Sequence, residues 1–172
     1  DYGKLLIGTE EDGVKVLDKA SGSITALKLD NLAGRPVESV RVIERKGRHE
    51  FWIGTIDGLL IYNDEKKSVT ALRNNPEDNT TLADNSVRSV FIDSAGTYWV
   101  GTFYGGVNSY SPTSRQFGGV TLTNKKNQKA YKVAGAMVTD YKDNLWIGTD
   151  GNGLYCLNSN GETIKQYKHD PT

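Results

Sequence analysis

One five-residue motif is written four times in this chain, as Leu5-Leu6-Ile7-Gly8-Thr9, Phe51-Trp52-Ile53-Gly54-Thr55, Tyr98-Trp99-Val100-Gly101-Thr102 and Leu145-Trp146-Ile147-Gly148-Thr149. Its glycines stand 46, 47 and 47 residues apart over 172 residues. Recurrence at a fixed period of about 20–50 residues marks a fold assembled from one repeated unit, and it outweighs any local reading of secondary structure.

Each period divides into four short β-like pieces. In the third unit the first runs over 87–92 and is followed by Asp93-Ser94-Ala95-Gly96, a turn by composition. The second piece covers 98–102, the third 107–110 after the glycine-bearing connection 103–106, and the fourth 116–122. The second unit repeats this at 40–43, 51–55, 59–62 and 69–72, and the fourth at 136–139, 145–149, 154–157 and 163–167. Four strands per period and no apolar spacing at three and four residues exclude a helical repeat. A parallel β-solenoid needs a shorter period. The pattern is that of an all-β propeller with four antiparallel strands per blade.

The apolar character of the pieces agrees. Leu145-Trp146-Ile147 is apolar on both faces, as a strand between two neighbouring blades must be. The small residues Val133-Ala134-Gly135-Ala136 suit an innermost strand crowded against the axis, and 163–168 turns polar as an outer strand should. The first unit opens at its second strand and so lacks the innermost one. The expected blades span 1–36, 37–85, 86–132 and 133–172. Propellers close with about 4–8 blades, so the chain is expected to be part of a longer ring with apolar end faces, which two copies would join to form a homodimer.

Lys and Arg number 21, as do Asp and Glu, so the formal charge is zero. Nucleic-acid binding needs an excess of cations; no nucleic-acid partner is expected, and Lys125, Lys126, Lys129 and Lys132 read as a solvated loop. A single cysteine, Cys156, permits no intrachain disulfide, and lying among Leu154, Tyr155 and Leu157 it reads as a small buried apolar residue. No apolar run is long enough for a membrane span, so this segment is expected to make no membrane contact. His49 and His169 are the only histidines. Neither a catalytic constellation, a metal site nor a cofactor is expected.

Trp52, Trp99 and Trp146 could stack on sugars, but their equivalent positions argue that they fill the space between blades. Truncation of Trp146 to alanine is then expected to cost about 3–5 kcal/mol. Gly8, Gly54, Gly101 and Gly148 read as places of close backbone approach. The second-to-third-strand connections and the interblade connections share one face around the channel. That gathers Glu10, Glu11, Asp57, Phe103, Tyr104, Asp150 and Asn152 with Arg73, Asn74 and Asn75. Aromatic faces beside Asp, Asn and Arg suit carbohydrate, so Phe103, Tyr104, Asp57, Asp150, Asn152, Arg73 and Asn75 are the candidate ligand-binding residues. The competing reading of Phe103 and Tyr104 is a cap of their blade against its neighbour.

At these residues the chain resembles the two-component regulator propeller family. That family's Trp-Ile-Gly-Thr strand leads through Gly-Leu into an Asn-bearing third strand, as in Trp146 to Thr149 followed by Gly153-Leu154-Tyr155-Cys156-Leu157-Asn158. Its interblade segment reads here as Asn75-Pro76 to Asn85-Ser86-Val87, and His169-Asp170-Pro171 looks like the start of another copy. The first unit departs from the pattern with Leu6 in place of Trp. The resemblance implies a non-catalytic fragment of the periplasmic sensor region of a Bacteroides-type hybrid histidine kinase. It further implies seven-bladed rings, an oligosaccharide ligand, and the remaining blades and domains of the parent as partners. A polysaccharide lyase or hydrolase and a protein-interaction scaffold are the rival readings.

Overall fold

The computed structural model describes residues 3–30, 34–122 and 133–169. The lysine-rich stretch with Lys125, Lys126, Lys129 and Lys132 lies outside the described residues, as do Asp170 and Pro171.

Fifteen strands form four separate antiparallel sheets, with no helix among the described residues. The first sheet has three strands, β1 (Lys4–Gly8), β2 (Val14–Asp18) and β3 (Ile24–Leu27). The second is β4 (Val40–Lys46), β5 (Glu50–Thr55), β6 (Gly58–Asn63) and β7 (Ser68–Leu72). The third is β8 (Val87–Ile92), β9 (Tyr98–Thr102), β10 (Val107–Ser111) and β11 (Gln116–Val120). The fourth is β12 (Ala134–Thr139), β13 (Leu145–Thr149), β14 (Gly153–Leu157) and β15 (Thr163–Tyr167). Every sheet is a meander in chain order, so each is one blade, and among the described residues the first has three strands, without an innermost one, as expected.

The repeated motif has a physical reading at every position. Its aromatic packs toward the following blade. Trp52 stacks on Tyr98 with ring centroids 4.1 Å apart and meets Tyr110 edge-on at 5.2 Å, both in the third blade. Trp99 joins the core of the fourth blade with Leu145, Ile147 and Tyr155. The next residue, Ile53, Val100 or Ile147, is fully buried.

The glycine then leaves room for the innermost strand of the following blade. A Cβ on Gly8 would lie 2.6 Å from Val40 Cγ1, and one on Gly54 would lie 2.6 Å from Val87 Cγ1. One on Gly101 would lie 3.1 Å from Ala134 Cβ. The threonine closes the motif by donating its hydroxyl to the carbonyl that opens the third strand. These bonds are Thr9 to Gly13 at 2.8 Å, Thr55 to Gly58 at 2.8 Å, Thr102 to Gly106 at 3.0 Å and Thr149 to Gly153 at 2.7 Å.

Trp146 departs from its two counterparts. Trp52 and Trp99 are buried, but Trp146 is half-buried on the open face of the last blade, stacked on Tyr167 at 5.9 Å. No blade follows it among the described residues, so its truncation removes less buried surface than the sequence argument supposed. Gly148 shows the same asymmetry: the nearest atom to a Cβ there is Ala136 O, at 3.7 Å.

Candidate functional site

Strand pairing decides what shares a face. Val87, at the start of β8, pairs with Thr102 at the end of β9, so the interblade segments and the second-to-third-strand connections emerge on one side. Backbone bonds tie the two sets together: Phe103 N–H donates to Ser86 O at 2.8 Å and Gly58 N–H to Asn85 O at 2.7 Å. The segment between β7 and β8 is anchored by Leu82, which is fully buried in the third blade's core, and by Ala83 N–H donating to Asn108 Oδ1 at 3.1 Å.

Phe103 and Tyr104 lie in this face. Their rings meet edge to face at 4.5 Å, the Arg88 guanidinium carbon sits 5.1 Å from the Phe103 centroid, and Tyr104 is 65% exposed. Phe103 is half-buried, so the pair combines a supported ring with a presented one.

The other candidates divide. Arg73 pairs with Asp57, which also faces Arg35 at 3.7 Å, so these charges form one mutually satisfied cluster. Asn75 accepts the Glu77 N–H at 3.2 Å and lies in the turn that Thr81 closes; its side chain shapes backbone. Asn152 is buried, donating to the Tyr155 hydroxyl at 2.6 Å while its carbonyl accepts from Gln166 at 3.1 Å. An Asn committed in this way is not a surface group, and this differs from its place among the exposed candidates. Asp150 is exposed, in the last blade's connection.

Two residues on this face went unread in the sequence. Arg41 and Arg88 are exposed, each the second residue of an innermost strand, and both line one cleft with Glu10, Ser39 and Val40. Expecting innermost strands to be small and apolar hid them; the recurring Val-Arg pair at positions 40–41 and 87–88 was the available signal.

His49 and Cys156 are engaged within the fold. His49 Nδ1 lies 2.7 Å from Asp64 Oδ1. Cys156 is buried, and burial, helped by the Asp140 charge and opposed by Lys165, pushes its thiol up from the ordinary range.

Comparison with known proteins agrees with this architecture. Residues 81–104 match the family model described as two component regulator propeller, which spans the Leu82 anchor and the third Trp-Val-Gly-Thr motif. Over 98 residues, 55% of the chain, it is 32% identical to histidine kinase P4 of Formosa agariphila, of whose length it spans 7%. The fold is similar to the extracellular domain of a hybrid two component system of Bacteroides thetaiotaomicron, with a TM-score of 0.73 and 22% identity over 98% of this chain and 24% of that one. A second such domain from the same organism gives a TM-score of 0.78 and 24% identity, over 96% of this chain and 21% of that one. PorZ of Porphyromonas gingivalis, a component of its type-IX secretion system, gives 0.70 and 18%, over 97% and 26%.

Proposed function

We propose that this chain, a stretch of two component regulator propeller, is a non-catalytic part of the periplasmic sensor region of a hybrid histidine kinase. In that role it helps recognise a glycan-derived ligand, and binding is relayed across the membrane through movement of the parent's domains. The likeness to a histidine kinase and to the extracellular domain of a hybrid two component system supports the setting. The observation that carries ligand recognition is the Phe103 and Tyr104 pair. An exposed tyrosine ring braced edge-on by a half-buried phenylalanine offers an apolar face at low entropic cost, beside hydrogen-bonding groups suited to hydroxyls.

Titration calorimetry against a panel of neutral and acidic oligosaccharides, with chromatography of each mixture afterwards, tests this. Saturable heat without product formation is expected, and Tyr104→Ala should weaken binding by about tenfold or more (~1.4 kcal/mol), as for an aromatic contact at the centre of an interface. Appearance of shortened sugars would make the propeller an enzyme. Silence against every sugar would leave a protein-interaction scaffold.

A further inference from the structure

The innermost strands carry a feature that the sensor reading leaves unused. In the second blade Val40 pairs with Thr55 and Val42 with Gly54, so Arg41 is the extra residue of a β-bulge. In the third blade Val87 pairs with Thr102 and Ser89 with Gly101, which makes Arg88 the extra residue at the same place. A bulge frees a residue from the ladder and re-aims its side chain, and such devices gather beside functional sites. In the fourth blade the corresponding irregularity holds Gly135 and Ala136, which bring no long side chain and leave the cleft beside Arg88 open.

Both arginines line the same cleft of about 410 Å³, within the size range of small-molecule sites. The Arg41 Nη1 reaches into the next blade and donates to Ser86 Oγ at 3.2 Å, two residues before Arg88. The Arg88 guanidinium carbon lies 5.1 Å from the Phe103 ring centroid, and that ring meets Tyr104 edge to face. Among the described residues neither guanidinium has a carboxylate partner within 4.0 Å. Two acidic groups stand near. Glu10 lines the cleft, and Asp84 Oδ1 accepts the Ser86 N–H at 3.1 Å and the Tyr104 N–H at 3.3 Å. Two guanidinium groups against the single carboxylate that lines the cleft leave it net positive, which favours a bound anion. Their planar forks match a carboxylate or a sulfate group.

We infer that Arg41 and Arg88 form an oxyanion subsite for an acidic saccharide, one bearing a uronate carboxylate or a sulfate ester, whose neighbouring ring lies on Tyr104. This rests on the glycan-sensing reading and narrows it by charge. Glu10 acts against the anion.

Calorimetry on the 172-residue chain decides the matter with three probes of similar length: a neutral glucan hexasaccharide, an oligogalacturonate and a chondroitin sulfate hexasaccharide. At least one acidic probe should bind tenfold or more tighter than the neutral one, and the acidic probe that wins identifies carboxylate or sulfate as the recognised group. Arg41→Gln and Arg88→Gln should each weaken that probe by about tenfold or more, as expected for loss of a charged hydrogen bond. Glu10→Gln should strengthen it, while Lys66→Gln on the opposite face should leave it unchanged. Circular dichroism checks that each variant is folded. Equal affinity for all three probes, or insensitivity to both arginine changes, would overturn the subsite and leave glycan sensing standing. No binding to any of the three would overturn the subsite, and silence across the full oligosaccharide panel would overturn glycan sensing as well.

Discussion

Gly54 and Gly148 occupy the same position in two blades but meet different neighbours, and the difference makes an internal control. A methyl group on Gly54 would sit 2.6 Å from both Val42 Cγ1 and Val87 Cγ1, where overpacking costs about 1–3 kcal/mol. On Gly148 the nearest atom is 3.7 Å away, an ordinary contact. Urea unfolding should therefore show Gly54→Ala clearly destabilised and Gly148→Ala within about 0.5 kcal/mol of the parent. Equal losses at the two sites would mean that Val42 and Val87 do not confine Gly54. The tryptophans extend the contrast: Trp52→Ala should cost about 3–5 kcal/mol and Trp146→Ala visibly less. Asp140 adds a pH dependence. The Trp146 indole N–H and then the Asn144 amide hold its carboxyl well below its ordinary value of 3.8. A depressed carboxylate contributes stability that is full above its ordinary value and is lost as pH falls through the folded one. In a carbon-detected NMR titration Trp146→Phe, which lacks the donor, should move the Asp140 midpoint upward. An unmoved midpoint would assign the shift to other contacts.

Leu6 marks the one place where an element lacks its usual filler. Beside it lies a cleft of about 310 Å³ between the first and second blades, lined by Leu6, Val16, Phe51 and Tyr62 among others. This is where the motif's aromatic packs in the next two copies. Leu6→Trp should fill part of that space and raise stability by about 0.5–2 kcal/mol in thermal unfolding; a lower melting temperature would show the cleft is shaped against it. The strands themselves were legible in the sequence because a four-times-repeated motif locates each second strand, and turn residues such as Asp93 and Gly96 delimit the rest. Strand β9 has the expected bounds to the residue. The site was less legible. Phe103 and Tyr104 could be placed by their position between two strands, but burial of Asn152 depends on Tyr155 and Gln166, which meet it only after folding. Arg41 and Arg88 were hidden because a bulge is a pairing irregularity, and pairing is not written in either strand alone.

At the scale of the whole molecule, the blades differ by how many neighbours they have. β9 is buried along its whole length, whereas in β13 only Leu145 and Ile147 are buried and the rest half-buried. The outer blades present Leu5 and Ile24 at one end and Val138, Leu154, Ile164 and Tyr167 at the other, all at least 38% exposed. We propose that in this chain these apolar faces pair with those of a second copy. Sedimentation velocity should show the chain self-associating as concentration rises, and Val138→Lys should suppress it; a monomer throughout would count against pairing through the end blades. The account as a whole rests on one relation, that the second strand of each blade packs against the blade after it. Trp52 and Tyr98 embody that relation at 4.1 Å across a blade boundary. A double-mutant cycle with Trp52→Leu and Tyr98→Leu measures it directly. A coupling of about 0.5–1.5 kcal/mol is predicted for a stacked aromatic pair, and strictly additive losses would contradict the packing of one blade on the next.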